Sequence, residues 1–463
     1  MGMLGRRRAA RAPGLRVSRA SSGPEAEAAD SSPDELTILR LAHDGRGIAR
    51  DASGKTVFVA QALPGERVRV AIHRSRKRFD EAHLRELLVP SAERISPPCP
   101  HYAQCGGCDL QHLALQAQRE HKREVLIDQL ARQGVSLEVS PRLLGGEAFD
   151  YRRRARLGVK VDAKGEVHLG FRARGSRHLV DIRDCPILVP ELAGLLTPLR
   201  ECLDALQAPR QVGHIELLAG DEAVAVVVRQ LRADPVDARR WRQWADTHRL
   251  SLAFLRGREQ PELQWVGKVP RLSYTLKSGQ RHLELEFAPG DFLQVNAEAN
   301  QSLVATALDW LAPASGDRVL DLFAGTGNFT LALAPHVARV ISVEGSTTMV
   351  KRLQDNARRN GLKNIESHTG DLNQPPSLEP LPDIVVLDPP RGGAEATCRA
   401  LATSRVARIL YVSCDPATLA RDAAHLVQAG YRITRAAVVD MFVQTAHLEA
   451  ALLFERESFQ HAP

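Results

Sequence analysis

A cysteine at the predicted end of a buried strand is the residue in this sequence best suited to chemistry. Cys414 follows an apolar run from Val406 to Val412 and precedes a predicted helix. A thiol at the carboxyl end of a strand in an open α/β sheet lies where such folds bind ligands. The alternative for Cys414 taken alone is an inert structural role, because free cysteines are among the most buried residue types.

A glycine-rich turn upstream of Cys414 has the form of a cofactor-binding site. Arg318–Leu322 is predicted as a strand, and Ala324-Gly-Thr-Gly-Asn leads from it into a helix. Gly325 and Gly327 let the backbone approach a ligand that a Cβ would exclude. A dinucleotide fold would have a third glycine three positions later, where this sequence has Thr330, so that fingerprint is broken.

Acids follow the neighbouring predicted strands. Glu344 ends the strand Val340–Val343, where a carboxylate is placed to accept hydrogen bonds from ribose hydroxyls. Asp371 follows the next strand region and is expected to meet an adenine or ribose edge. The glycine turn and Glu344 together predict a site for S-adenosylmethionine. Asp388, at the start of Asp-Pro-Pro-Arg after the fourth strand, is placed to bond a base edge, although an ordinary turn is the alternative.

A thiol facing a methyl donor fits the methylation of a uracil at C5. This carbon is a poor nucleophile until a thiolate adds to C6, and a base must later remove the C5 proton so that the thiolate can leave. Cys414 supplies the thiolate. Glu449, just before the final apolar strand Ala450–Phe454, is the predicted base, with His447 as a structural or orienting residue and Asp388 reading the uracil edge.

The other cysteines indicate a reducing compartment and a possible metal site. The chain has seven cysteines, an odd number without even spacing, which argues against a disulfide framework. Cys99, Cys105 and Cys108 lie close together in the sequence. With a fourth thiolate from elsewhere in the chain, they would suit either zinc or an iron–sulfur cluster. The wide spacing from Cys99 to Cys105 fits a standard zinc knuckle poorly.

The 463-residue chain is long enough for two to four domains. Residues 1–33 are predicted to be a disordered basic arm, and six arginines among the first twenty residues supply most of the formal charge of +7. The start lacks the apolar segment of an export signal, and no apolar run approaches the roughly 20 residues that span a membrane. The chain is therefore expected to be cytoplasmic, with no membrane partner.

Short alternating strands in residues 34–95 predict a small β-barrel of the oligonucleotide-binding type. His73-Arg-Ser-Arg-Lys-Arg-Phe79 is predicted to contact phosphate there, although a solvated turn is the alternative. Residues 96–290 contain the cysteines and the arginine-rich strand at Tyr151–Arg156. Alternating helices and strands from about Asn296 predict a parallel sheet in residues 291–463.

As a set, these motifs resemble the RNA uracil-C5 methyltransferase family over residues 35 to 455. The resemblance rests on the barrel, which is similar to a TRAM domain, on the glycine turn and on the following sequences: Cys99-x5-Cys105-x2-Cys108, Asp184-Cys-Pro, Pro289-Gly-Asp-Phe-Leu-Gln-Val-Asn, Asp388-Pro-Pro-Arg, Ser413-Cys-Asp-Pro and His447-Leu-Glu. It implies a multidomain chain: the barrel, a small α+β central domain with an iron–sulfur cluster, and a C-terminal α/β Rossmann-like class I methyltransferase domain.

The resemblance also implies roles for particular residues. Cys414 would be the nucleophile and Glu449 the proton acceptor. A [4Fe–4S] cluster would be held by Cys99, Cys105, Cys108 and Cys185. The methyl donor or the target base would be contacted by Gln294, Phe323, Asn328, Glu344, Asp371 and Asp388. Cys202 and Cys398 match no motif and are expected to be ordinary helix residues.

The substrate implied is one uridine of 23S ribosomal RNA, and the chain is expected to be a monomer. Three alternatives remain. A sibling enzyme would act on transfer RNA or another ribosomal site. A cytosine-C5 enzyme would place its nucleophile in a different dipeptide from Ser413-Cys414. A non-catalytic RNA-binding assembly factor would need neither Cys414 nor Glu449.

Overall fold

The computed structural model describes residues 34–257, 259 and 261–456, and the predicted arm of residues 1–33 lies outside them. The described chain falls into two compact units. The first consists of residues up to Ser96 together with His112–Ala114, and the second contains Pro97–Gln111 and everything after Ala114. The regions predicted as central and C-terminal domains thus lie in one compact unit, and the boundary between residues 290 and 291 stays a prediction.

The first unit is a six-stranded sheet with an apolar interior. Its strands are β1 (Glu35–Thr37), β2 (Arg40–Leu41), β3 (Gly47–Arg50), β4 (Thr56–Ala60), β5 (Arg67–Ser75) and β6 (Phe79–Val89), in the order β1-β5-β6-β4-β3-β2. Alternate residues such as Val57, Val59, Val68 and Val70 are buried, which is the period of two expected of a half-buried strand.

The sequence pattern predicts five strands, the first at Leu36–Leu39, whereas the structure has six. Strand β1 ends at Thr37, because the Ile38 amide donates to the Glu66 carbonyl and the Leu39 amide to the Ile48 carbonyl, and the short strand β2 follows at Arg40. The chain changes pairing partner there, from β5 to β3. The basic cluster also differs from its predicted place between strands, because His73–Ser75 belong to β5.

The second unit opens with α1 (Leu115–Arg132) and β7 (Arg142–Leu144), followed by a seven-stranded sheet. The strands of that sheet are β8 (Arg154–Val161), β9 (Val167–Arg172), β10 (Leu179–Asp181), β11 (Val212–Ala219), β12 (Val224–Gln230), β13 (Ser251–Arg256) and β14 (Glu262–Val266). Its helices are α2 (Pro190–Ala193), α3 (Leu196–Asp204) and α4 (Pro235–Thr247), and a hairpin of β15 (Ser273–Ser278) and β16 (Arg281–Glu286) follows. Cys202 lies in α3, as expected.

The rest of the unit is an eight-stranded sheet with helices between its strands. The elements are α5 (Ala297–Leu311), β17 (Arg318–Leu322), α6 (Asn328–Leu333), β18 (Arg339–Glu344), α7 (Thr347–Arg359), β19 (Ile365–Thr369), β20 (Ile384–Leu387), α8 (Glu395–Ala402), β21 (Arg408–Ser413), α9 (Pro416–Gln428), β22 (Arg432–Val439) and β23 (Glu449–Glu455). The strand order is β19-β18-β17-β20-β21-β23-β22-β7. Cys398 lies in α8, as expected.

This order brings the predicted site residues to one edge of the sheet. Strands β17 to β21 are parallel neighbours, and β23 runs antiparallel to β21. The carboxyl ends of the parallel strands and the amino end of β23 therefore meet. The chain order reverses between β17 and β20, and open α/β sheets bind ligands at such a switch point.

The sequence-predicted strands agree closely with the structure at this edge. The predicted Arg318–Leu322 and Ile384–Leu387 are β17 and β20 as observed. The final strand starts one residue earlier than predicted, so Glu449 is its first residue. None of the helices within the described ranges is long and apolar enough to cross a membrane.

Candidate active site

Cys414 and Glu449 are neighbours across two antiparallel strands. Ser413, the last residue of β21, pairs with Ala450 in β23. Because the strands are antiparallel, the residue after Ser413, Cys414, lies next to the residue before Ala450, Glu449. Cys414 is half-buried, and Glu449 is only 4% exposed. The predicted nucleophile and the predicted base therefore lie together because of strand register, although they are distant in sequence.

Asp388 lies on the other side of Cys414, directly after β20. Its amide donates to the Leu322 carbonyl of β17 at 3.4 Å, which places it at the switch point. The loop that follows is tied to α9, because Thr418 Oγ1 donates to the Arg391 carbonyl at 3.2 Å and Arg421 donates to the Gly392 carbonyl at 3.0 Å. The fixed loop holds Asp388 beside the helix that starts after Cys414.

The three groups influence one another electrostatically. Burial, followed by the charges of Glu449 and Asp388, raises the pKa of the Cys414 thiol, whereas the Arg391 guanidinium acts to lower it. Burial raises the pKa of Glu449 to about 7. Burial together with the charges of Glu449 and Asp321 raises the pKa of Asp388 well above its usual range. Shifts of this kind are typical of groups that exchange protons near neutral pH.

The glycine turn after β17 faces open space. Gly325 has a φ of +56°, and a Cβ added there would meet no atom within 4 Å. Phe323, just before the turn, also has a positive φ of 63°, a rare conformation for a bulky residue. Glu344 stabilises the turn, since its carboxylate accepts the amides of Gly325 at 3.0 Å and Ser346 at 2.9 Å. The residues present thus fit a nucleoside ligand lying over this turn.

The other predicted donor-site residues vary in how they are held. Asn328 exchanges two hydrogen bonds of 2.9 Å with Asn300, so its side-chain amide has a set orientation. Gln294 is buried in the segment before α5. Asp371 is exposed after β19, and its carboxylate accepts the Asn373 amide at 3.0 Å. All three lie in the same compact unit as the turn.

Sequence reasoning missed Asp321, which is buried inside β17. One oxygen accepts a hydrogen bond from the Thr330 hydroxyl, and the other, Oδ1, is buried without a hydrogen-bond partner. Burial raises the pKa of Asp321 to about 7. The sequence did contain a signal for this pair. Thr330 stands where a dinucleotide fold would have its third glycine, and its hydroxyl is the group that bonds to Asp321.

The four predicted cluster cysteines come together in the second unit. Cys99, Cys105, Cys108 and Cys185 line one cavity of about 390 Å³. Arg391 and His447 line it as well, so it adjoins the residues around Cys414. Although much of the His447 surface is exposed, its ring lines the cavity, and the surrounding protein together with the Arg391 charge lowers its pKa.

The spacing of the four cysteine sulfurs bears on the kind of metal group that they could bind. A tetrahedral zinc with Zn–S bonds of about 2.3 Å brings its sulfurs to about 3.8 Å of one another. Among the described residues, only Asp162, Glu166 and His168 bring three potential ligand atoms within 4.8 Å of one another, so no three of these cysteine sulfurs are that close. A cubane binds each cysteine through a different iron and fits sulfurs spaced around a cavity.

The open α/β sheet, with its glycine turn, Glu344 after β18 and the antiparallel strand β23, has the fold of a methyltransferase domain. A family model described as tRNA (Uracil-5-)-methyltransferase matches residues 116–369 and 381–457, and a TRAM domain model matches residues 35–84. The chain belongs to the uracil-5-methyltransferase family.

Relatives resemble the chain over nearly its whole length. The 23S rRNA (uracil(1939)-C(5))-methyltransferase RlmD of Chromohalobacter salexigens is 59% identical over 99% of this chain and 96% of its own. The protein of the same name from Pseudomonas fluorescens is 43% identical over 96% and 98%. The Pyrococcus abyssi tRNA (uracil-54, C5)-methyltransferase, solved with S-adenosyl-L-homocysteine, has a TM-score of 0.72 at 23% identity and covers 91% of this chain and 100% of its own, which shows a shared fold.

Proposed function

We propose that the chain transfers a methyl group from S-adenosylmethionine to C5 of uridine 1939 in 23S ribosomal RNA, the site named in its relatives. The observation that carries the proposal is the position of Cys414 and Glu449 next to the paired residues Ser413 and Ala450 of β21 and β23, in the same sheet as the turn proposed to bind the nucleoside. The target uridine would be flipped out of its stack to reach this edge.

Cys414 acts as the nucleophile. After losing its proton, the thiolate adds to C6 of the uracil, and the electron pair of the C5–C6 double bond moves towards C5 and O4. C5 then takes the methyl group that the bound donor supplies. The Arg391 guanidinium favours negative charge on the sulfur, because its charge acts to lower the pKa of the Cys414 thiol.

Asp388 recognises the uracil edge. Burial and the charge of Glu449 raise its pKa and so favour the protonated carboxyl, which in that form donates a hydrogen bond to the oxygen on which enolate charge develops. A protonated carboxyl in this place stabilises the enolate without adding a second negative charge.

Glu449 completes the reaction. It removes the C5 proton from the methylated adduct, the C5–C6 double bond re-forms, and the thiolate leaves C6. A pKa of about 7 suits a base at neutral pH, because about half of the carboxyls are then ionised and each can still hold the proton that it takes.

We further propose that Cys99, Cys105, Cys108 and Cys185 hold a [4Fe–4S] cluster, supported by their spacing around a cavity. The cluster would supply a rigid cross-link between residues 99–108 and the segment around Cys185. Anaerobically purified protein should be brown and contain about four irons per chain. Colourless, zinc-loaded protein would overturn this assignment. We also infer a cytoplasmic enzyme, because seven cysteines, an odd number without even spacing, argue against a disulfide framework.

A 5-fluorouridine substitution tests the chemistry. RNA with fluorine at C5 of the target should form a covalent adduct with the wild type, because no C5 proton can be removed. Cys414→Ala should form none and should lose methyl transfer, while Cys202→Ala serves as the control thiol. Absence of an adduct with the wild type would refute the covalent mechanism.

The family model bears the name of transfer RNA, so a transfer RNA target is the second candidate. Fragments of both RNAs, methylated side by side and mapped by mass spectrometry, decide between them. Modification of uridine 1939 alone supports the ribosomal target.

A further inference from the structure

The segment that leads to Glu449 is buried without regular structure. Residues 440–448, here named the base segment, connect β22 to β23 through turns. Met441, Val443, Gln444 and Thr445 are all at most 3% exposed. Buried backbone groups outside helices and sheets need other hydrogen-bond partners, so what holds this segment also decides where Glu449 lies.

The residues after Cys108 bond directly to the base segment. The amides of Asp109 and Leu110 both donate to the Gln444 carbonyl, at 2.9 and 3.0 Å. In return the Asp109 carboxylate accepts the Ala446 amide at 3.2 Å. Asp109 thus contacts the base segment at two points. Its main chain bonds to Gln444, and its side chain bonds to Ala446, three residues before Glu449.

Other contacts orient Asp109 or support the same segment. Arg174 bonds to the Asp109 carboxylate at 2.9 Å and to the Cys108 carbonyl at 2.6 Å. The Tyr151 hydroxyl donates to the Val443 carbonyl at 2.8 Å. Lys122, which is 1% exposed, donates to the Asp440 carboxylate at 2.7 Å and to the Phe442 carbonyl at 3.0 Å.

Gln444 explains why these bonds are needed. Its φ of +68° places a non-glycine residue in the left-handed region, a conformation that costs free energy and persists only where surrounding contacts impose it. The bonds from Asp109 and Leu110 end on the carbonyl of this same residue. Without these two hydrogen bonds, the backbone at Gln444 would relax to a conformation of lower free energy.

We propose that Asp109 is a positioning residue for Glu449, and that it links the cysteine site to the removal of the C5 proton. The inference rests on the proposed function, since it assumes that Glu449 is the base. Cys108 is the residue before Asp109, so a group bound to the four cysteines would hold Asp109 in place. The addition of Cys414 to the uracil does not depend on this link, because Cys414 lies between β21 and α9, outside the base segment.

Asp109→Ala should therefore slow release and spare thiol addition. With 5-fluorouridine RNA the variant should form its adduct at the wild-type rate. With ordinary RNA and S-adenosylmethionine it should accumulate a methylated covalent complex, and kcat should fall about tenfold with KM for RNA unchanged, the effect of one lost hydrogen bond to a charged group. Asp109→Asn, which keeps an acceptor for the Ala446 amide, should restore most of the release rate.

Asp181→Ala is the matched control. Asp181 and Asp109 are 30% and 29% exposed, and each pairs with an arginine and accepts one main-chain amide. The partners of Asp181 are Arg200 and Leu169, outside the base segment. This variant should accumulate no covalent complex.

Tyr151→Phe provides a second, gentler variant that removes only the hydroxyl bonded to Val443. It should also accumulate the methylated complex, with release slowed about threefold. Hydrogen exchange in residues 440–448 should rise in Asp109→Ala at unchanged iron content. Release at the wild-type rate in both variants would overturn the inference, as would equal loss of thiol addition and release. Failure of the proposed function is distinguished by the wild type forming no 5-fluorouridine adduct at all.

Discussion

At the scale of single residues, three ionisable groups share one buried corner of the second unit. Cys414, Asp388 and Glu449 each have a raised pKa, and burial is the first cause for all three. The other six cysteines lie in the cavity or in helices α3 and α8. The separation makes Cys414 the proposed nucleophile among the seven.

The pH dependence of turnover follows from Glu449. A base must be ionised, so with a pKa of about 7 turnover should rise as pH increases from 6 to 8. Glu449→Gln should reduce turnover at least a hundredfold at every pH and accumulate the methylated covalent complex on ordinary RNA. Single-turnover rates across this range measure it, with denaturing gels detecting the complex. A flat profile for the wild type would contradict the assignment.

The same group should weaken the fold as pH rises. Glu449 has an ordinary pKa of 4.5 when unfolded and about 7 when folded, so the folded state binds more protons between these values. Stability therefore falls as pH rises from about 4.5 to about 7. Glu449→Gln removes this loss, and its melting temperature should exceed that of the wild type at pH 8 by more than at pH 5. Thermal melts at both pH values measure the difference, and an equal gain at both would refute it.

At the scale of elements, the turn between β17 and α6 depends on glycine for two different reasons. Gly325 leaves open space for a ligand, whereas Gly327 is enclosed: a Cβ there would lie 2.3 Å from Leu331 Cδ1, at a φ of +104°. Any side chain at Gly327 must therefore displace the Leu331 side chain and adopt a strained backbone conformation.

Gly327→Ala should weaken donor binding at least tenfold, because a strained backbone position costs about 1–3 kcal/mol and the turn must shift. Titration calorimetry with S-adenosyl-L-homocysteine measures it. Gly316→Ala is the control, since a Cβ there meets nothing within 4 Å and its φ is not positive. Equal affinity in the two variants would show that the turn does not hold the donor.

Elements far apart in sequence also build the second unit. Strand β7 pairs in parallel with β22, although it comes from the region predicted as central. Asp440, which follows β22, is joined to α1 by Arg119 at 3.0 Å and by the buried Lys122. These contacts make the cysteine region and the methyltransferase sheet parts of one compact unit.

At the scale of the whole molecule, the first unit carries a basic surface of its own. Arg74, Lys77 and Arg78 are exposed around the turn between β5 and β6. His73 stacks on His83 with ring centroids 3.9 Å apart, so the cluster also presents aromatic surface. The match to a TRAM domain covers this region.

Replacing Arg74, Lys77 and Arg78 by alanine should weaken RNA binding mainly at low salt. Each lost phosphate contact should reduce the slope of log affinity against log salt by about one. Filter binding from 50 to 300 mM salt measures the slope. Arg358→Ala, an exposed arginine of α7, is the control. An unchanged slope in the triple variant would mean that Arg74, Lys77 and Arg78 do not contact phosphate.

The sequence by itself determined the local features. The glycine turn, the strand ends at Leu322 and Leu387, and the identity of Cys414 as a residue after a buried strand follow from patterns a few residues long, because backbone conformation and alternation are set locally. The resemblance to a family then supplied roles for residues that no local pattern explains.

Only the tertiary structure decided which groups meet. Strand register puts Glu449 beside Cys414, the parallel order puts Asp388 next to both, and burial in the assembled sheet raises their pKa values. The same assembly buries Asp321 and brings Asp109 onto the base segment, more than 330 residues away along the chain. These contacts join distant parts of the sequence, and desolvation exists only once the chain has packed around the group, so neither could be read from spacing alone.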